Sequence, residues 1–317
     1  AIQRMKLHDH IELTFKSGEV EQIYNVDCEP EWQFEKYAWQ GTVTLTFDMD
    51  ESITVGACCD NLTVTDAIPE WYWIATDGSD DTGDGHYTTP WKTLAYACTQ
   101  VTTPGETIHV KAGTYTETEQ SVLAVGVSII GAGDTSIITT ATALDPMIKM
   151  DSAVEGTDGN QSISYIKIDG DLTALRLIEI HARSNVSIHH CTFIDALNDG
   201  VLFFGRTDDL YQFTTTYSTG NSFYSNTVTN CSRFAVYDTW RYIHGCLAIG
   251  GQSGMLIYDN TITQPDRGDA ANGACITFTN WGNHKGTKIY NNTLTSPPKK
   301  AETGAGGGYG FSIELWS

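Results

Sequence analysis

The sequence predicts an all-β solenoid, on three observations. A six-residue word, apolar-x-x-Asn-Thr-apolar, recurs as FYSNTV at 223–228, IYDNTI at 257–262 and IYNNTL at 289–294, at steps of 34 and 32 residues. Between the copies run segments led by glycine: GVLFFG from Gly200, GCLAIGG from Gly245, GACITFTN from Gly273 and GFSIEL from Gly310. These units place β-branched and aromatic residues at alternate positions and contain no ten-residue helical run. Two interleaved strand families with a common period therefore stack as coils of β-structure rather than as helical repeats.

Looser copies of the word precede the clear ones: IHHCTF at 188–193 lies 35 residues before FYSNTV, and ISYIKI at 163–168 lies a further 25 back. In such a unit the first and last apolar residues point inward and the asparagine sits at a corner, where its short amide tolerates a left-handed backbone. Stacked copies, Asn226, Asn260 and Asn292, are then expected to hydrogen-bond up the stack.

Residues 1–68 read differently. Short alternating runs, HIELTF, GTVTLTF, SITVGA and NLTVTD, punctuated by Gly, Asp and Asn, are the period-two signature of antiparallel strands. A small β domain, a candidate attachment domain, is expected there, with the solenoid over 69–317. After Ile68-Pro69 comes a strand at 71–76, then the acidic loop TDGSDDTGDG at 76–85, then a helix opening at Pro90 with Leu94, Ala97 and Cys98 at helical spacing.

The segment YWIATDGSDDTGDGHYTTPWKTLAYA, with TIHVKAGTYTE and GVSIIGAGDTSIIT after it, resembles the opening of right-handed parallel β-helix proteins of the pectate-lyase-like superfamily. The resemblance covers about residues 71–317. It implies a right-handed parallel β-helix whose single helix caps the N-terminal end and whose glycine-led strands floor a groove. It carries no catalytic motif across, since the superfamily holds polysaccharide lyases, glycoside hydrolases, epimerases, tailspikes and adhesins.

Composition narrows the function classes. Lys plus Arg number 18 against 39 Asp plus Glu, a net charge of −21, which repels nucleic acid and anionic membranes. No apolar run approaches the ~18–20 residues of a bilayer helix, and AIQRMKLHDH has no signal-peptide core; a mature chain or a fragment is expected. The eight cysteines form no C-x-x-C pair, so buried free thiols are the plain reading, with Cys28 to Cys58 or Cys59 the one disulfide to check. Richness in Thr, Gly, Asn, Tyr and Trp suits an extracellular, secreted or virion-surface protein.

The chemistry is expected in the coils' extra length. Coils of 32–35 residues exceed the 25-residue step from Ile163 to Ile188, so the excess is loop, at 206–221, 229–244, 263–272, 280–286 and 295–309. These loops offer Tyr211, Tyr237, Trp240 and Trp281 as surfaces for sugar rings. Candidate catalytic groups are Asp209, Asp238, Arg241, His244, Asp266 and Glu314, from which a hydrolase needs two carboxylates about 5–10 Å apart. A lyase acting on uronates must neutralise a carboxylate, which a chain at −21 does badly without Ca²⁺.

No metal ligand set and no cofactor are expected. Ca²⁺ in the 76–85 loop is the one ion to weigh, and that loop lacks the glutamate that closes an EF-hand. His189 and His190 fall at a coil corner, where stacking is a plainer role than metal binding. The expected partner is a polysaccharide, with no nucleic acid and no membrane insertion, bound or cleaved in a loop-flanked groove by a glycoside hydrolase or a polysaccharide lyase. The alternatives are a non-catalytic tailspike-like spike or adhesin, trimeric or attached to a larger assembly through residues 1–68, and a structural solenoid. The ending FSIELWS stops within a strand without a polar cap, so a trimmed chain or a covering subunit is expected there.

Overall fold

Each coil of the solenoid passes through three rows of parallel strands. A computed structural model describes residues 71–205, 216–232, 245–264, 274–279, 284–296 and 311–315, together with the backbone of 10–14 and 20–24. Two units divide the chain, residues 1–71 and 72–317. In the first unit His10–Thr14 pairs antiparallel with Val20–Tyr24; the runs GTVTLTF, SITVGA and NLTVTD lie outside the described residues.

In the second unit the first row is a seven-stranded parallel sheet among the described residues. It runs from Ser121–Val122 through Ile148–Asp151, Arg176–His181, Asp199–Phe204, Gly245–Ile249 and Ala274–Phe278 to Ile313–Leu315. The glycine-led segments are the later strands of this row. The second row continues through Arg183–His189, Ser222–Tyr224, Leu256–Tyr258 and Lys288–Tyr290, and the third through Thr192–Ile194, Thr227–Thr229, Thr261–Thr263 and Thr293–Thr295. Second and third rows share one sheet because two earlier strands, Ser128–Thr140 and Thr157–Asp169, run unbroken through both. The architecture is the parallel β-helix expected of the sequence.

Register places one apolar column inside each row. Ile129, Ile163, Ile188, Phe223, Ile257 and Ile289 align in the second row. Ile138, Ile168, Phe193, Val228, Ile262 and Leu294 align in the third. Columns through Ile148, Ile178, Val201, Leu247 and Ile276, and through Met150, Ile180, Phe203, Ile249 and Phe278, line the first. Nearly all are fully buried, and each such side chain contributes about 1.5–3 kcal/mol.

The asparagine ladder forms, for a reason other than the one expected. The left-handed residue is the one before each asparagine, with φ of 53° at His190, 54° at Ser225, 56° at Asp259 and 54° at Asn291. Asn226, Asn260 and Asn292 are there for their amides. Asn226 Nδ2 donates to Asn260 Oδ1 at 3.1 Å, and Asn260 Nδ2 to Asn292 Oδ1 at 2.8 Å. The same oxygens accept the backbone N–H groups of Asn226 and Asn260, both at 3.0 Å. Cys191 holds the equivalent place one coil earlier, its thiol donating to the Ile163 carbonyl at 3.5 Å much as Asn226 Nδ2 donates to Ile188.

The helix is Leu94–Gln100, beginning later than Pro90, with Thr93 as N-cap accepting from Tyr96 N–H. Leu94, Ala97 and Cys98 are buried as the spacing requires. Glu117 accepts from the backbone N–H groups of Leu94 and Ala95 at 2.9 and 3.0 Å, satisfying orphan donors of the first turn. Asp80 accepts from the N–H groups of Lys92 and Thr93 and from the Thr93 hydroxyl, and Asp84 accepts from His86 N–H and Thr89 Oγ1. Aspartates of the 76–85 loop are thus committed to holding the loop and the helix start. Cys98, Cys191, Cys231, Cys246 and Cys275 are buried free thiols; Cys28, Cys58 and Cys59 lie outside the described residues.

Candidate functional site on the first strand row

The turn between second and third rows stays short in every later coil, two residues at 190–191, 225–226, 259–260 and 291–292. From Arg183 onward chain length varies only beside the first row; the earlier strand Ser128–Thr140 carries an irregularity at the corner, its register shifting twice between Ile130 and Ile137. Residues 206–215 and 280–283 follow first-row strands, and 233–244, 265–273 and 297–310 precede them. Asp209, Asp238, Arg241, His244, Asp266, Tyr211, Tyr237, Trp240 and Trp281 all fall in these stretches, outside the described residues.

Glu314 is the one described member of the expected catalytic set. Its pairing with Thr277 places it in the outward column Lys149, Glu179, Leu202, Ala248, Thr277, Glu314. Leu202, Ala248 and Thr277 are at most 2% exposed, so the outward side is covered over the middle of the row. Glu314 stands four strands from Glu179, roughly 19 Å at the usual strand spacing, too far for the two to act as a pair.

The chemistry-bearing groups lie at the other end of this face. The Arg176 guanidinium meets three carboxylates: Nε donates to Asp199 Oδ2 at 3.0 Å, and Nη1 to Asp145 Oδ1 at 2.9 Å and Glu179 Oε2 at 3.2 Å. Lys149 Nζ lies 3.8 Å from Glu179 Oε1 and 3.9 Å from Asp151 Oδ2. His181 Nδ1 is 3.0 Å from Asp151 Oδ1, and its ring stacks on Phe204 at 4.1 Å. Seven ionisable side chains from four successive segments thus form one connected network. Register explains it: Lys149 pairs with Glu179, and Asp151 with His181, so outward residues of adjacent strands meet side by side.

Its members differ in environment. Asp199 is almost fully buried and its other oxygen accepts the Gly245 N–H at 3.1 Å, so it ties the network to the next coil. Burial pushes the Glu179 carboxyl above the usual carboxylate range, outweighing Arg176 and Lys149 beside it. Asp145 is the most open of the three, its side chain 36% exposed. Because Asp145 Oδ1 and Glu179 Oε2 share one guanidinium nitrogen, they are no more than about 6 Å apart, a ceiling below the ~6.5–9.5 Å of inverting carboxyl pairs.

Sequence reasoning passed over this network because it sought the excess length of the later coils. The signal was in MIKMD at 147–151 and LIEIH at 177–181: aligned on their apolar residues, these strings put Lys over Glu and Asp over His.

The second row carries an aromatic column outside. His189, Tyr224, Tyr258 and Tyr290 stack at centroid spacings of 4.8, 4.8 and 5.0 Å, with the tyrosine rings coplanar to 1° or better. Rings stacked on one another have their inner faces occupied, so this column does not offer a row of open faces to sugars. Among the described residues, no helix is long and apolar enough to cross a membrane.

No family model matches the sequence, and no curated protein does. Similar solved structures include the pre-mature gene product 12 of bacteriophage phi29, at 14% identity over 59% of this chain and 29% of that one, TM-score 0.48. An alginate lyase from Paenibacillus sp. is similar at 15% identity over 63% of this chain and 62% of its own, TM-score 0.44. The catalytic domain of an α-1,3-glucanase in complex with tetrasaccharides is similar at 14% identity over 74% and 40%, TM-score 0.39. The chain spans between about a third and three fifths of their lengths. By its own strand pairing, with three parallel rows and an asparagine-laddered corner, the chain is a parallel β-helix protein.

Proposed function

We propose that the chain engages a polysaccharide along the outward side of the first strand row and hydrolyses it there. The observation that carries this reading is the coincidence of two features on one row: from Arg183 onward the variation in coil length adjoins it, and the network around Arg176 lies on its outward side. In a solenoid, inserted lengths gathered along one face mark the contact face.

Hydrolysis is favoured over elimination on charge. A lyase needs a cation to neutralise the uronate carboxylate. Arg176 is already shared by three carboxylates and Lys149 by two, and the whole chain carries −21. A neutral glycan fits better than a polyuronate. Glu179, whose proton is held more tightly by burial, is the proposed general acid. Asp145, more open and close by, is the proposed nucleophile. Asp209, Asp238, Arg241, His244 and Asp266 remain proposed contributors from the flanking stretches, with Tyr211, Tyr237, Trp240 and Trp281 as sugar-stacking groups. An extracellular or virion-surface setting is part of the proposal.

A reducing-sugar assay on a panel of neutral and acidic polysaccharides tests it, with ultraviolet absorbance read in parallel for unsaturated uronates. The expected result is reducing ends from a neutral glycan, lost in Glu179→Gln while glycan binding persists. Unsaturated products, or full activity in Glu179→Gln, would overturn the hydrolytic assignment. Absence of binding to any glycan favours the non-catalytic spike, in which residues 1–71, a separate unit, would serve for attachment.

A further inference from the structure

We propose that His189 and His190 form a two-imidazole site for a divalent transition metal of tetragonal preference, Cu²⁺ first and Ni²⁺ second. Neighbouring residues of a strand point to opposite faces. Here the strand Arg183–His189 ends and His190 takes φ of 53°, and the two Nδ1 atoms come within 2.9 Å of each other. Each ring is held by a tyrosine of an adjacent coil: His189 stacks on Tyr224 at 4.8 Å, and His190 on Tyr165 at 4.9 Å, with the two imidazoles near perpendicular at 89°.

The nitrogen spacing discriminates among metals. Two nitrogens bound at about 2.0–2.1 Å are ~2.9 Å apart across a right angle and ~3.3–3.4 Å apart across the tetrahedral angle of a zinc site. The observed 2.9 Å is the length of the hydrogen bond these atoms make without metal; it needs no widening for a right-angle pair, the geometry of Cu²⁺ and Ni²⁺ with nitrogen and oxygen donors, and Cu²⁺ leads the affinity order for imidazole. Without metal, the same atoms share an N–H···N hydrogen bond; on binding, the donor ring carries its proton on Nε2 instead, and both neutral imidazoles ligate through Nδ1 with no net release of a proton. Among the described residues no group of three or more His, Cys, Asp or Glu side chains could hold a metal ion. Water therefore fills the remaining positions, and the ion is exchangeable.

The site stands apart from the first-row face, and its test is independent of any activity. The full chain is titrated with copper(II) chloride in a non-chelating buffer and followed by electron paramagnetic resonance. The expected result is one tightly bound copper with nitrogen hyperfine structure from two imidazoles, lost in His189→Ala and in His190→Asn. The second variant preserves the corner, since Asn291 takes the equivalent position at φ 54°. A copper signal unchanged in both variants, or none with nitrogen coordination in the parent chain, overturns the proposal.

Discussion

The corner between second and third rows and the flanks of the first row are built from the same coils under opposite rules. At the corner, the last three coils repeat a two-residue turn, a left-handed residue and a laddered amide, and buried polar atoms are satisfied by like groups one coil away. Beside the first row, coil length varies, and charged groups from non-identical strands satisfy one another around Arg176. Repetition serves stability, because each coil then offers the same donors and acceptors to the next. Departure from repetition has no such use, and in the later coils it is concentrated along one row.

Five substitutions break or sharpen this contrast. The largest effect is expected at Arg183, almost fully buried between first and second rows. Its guanidinium donates to Ser152 Oγ, to the carbonyls of Leu123, Ala124 and Asp151, and to Gln161 Oε1. Arg183→Met removes all of these donors at once and should cost about 3–5 kcal/mol in urea unfolding. Next comes Asn260→Ala, which orphans the Asn226 N–H and the Phe223 carbonyl. A loss of about 3 kcal/mol is expected; one below about 1 kcal/mol would mean the ladder is incidental. Tyr258→Ala removes two stacked neighbours and should cost about 1 kcal/mol, leaving glycan binding unchanged, whereas Trp240→Ala should weaken binding.

The smallest effect on stability, and the largest on activity, is expected at Glu179. Its folded-state pKa lies above the unfolded value because burial penalises the charged form. The folded protein therefore holds this proton more tightly, and stability falls as pH rises from the ordinary glutamate range through the raised pKa. Glu179→Gln should remove that slope, so the variant is no less stable than the parent at neutral pH, with the advantage vanishing in acid. A variant clearly less stable at neutral pH would show that Glu179 serves the fold through Arg176 and Lys149.

What could be read from the sequence follows the same division. FYSNTV, IYDNTI and IYNNTL announced the ladder and the inward columns because a solenoid copies its local chemistry at a fixed period. Which residue took the left-handed backbone was misjudged: His190, Ser225, Asp259 and Asn291 share a conformation but no side-chain type, so no common letter betrayed them. The network of Asp145, Lys149, Asp151, Arg176, Glu179, His181 and Asp199 left only the fainter signal of MIKMD laid against LIEIH, for a related reason. It exists only once strands some thirty residues apart in the chain are laid in register, and none of its members recurs in the next coil. Arg183 escaped notice as well, since a lone arginine in HARSNVS looks like a solvated turn.

The ladder has one more implication, for how such a protein can be altered. Because the side-chain oxygens of Asn260 and Asn292 accept from the coil below, and the Nδ2 groups of Asn226 and Asn260 donate to the coil above, the bond does not record which coil supplied it. Excising residues 227–260 would join Asn226 to Thr261, restoring the word SNT, and would set Asn226 directly beneath Asn292. Whole turns are therefore the natural unit of gain and loss in this chain's ancestry, and reach along the axis can change without new chemistry being invented at the corner.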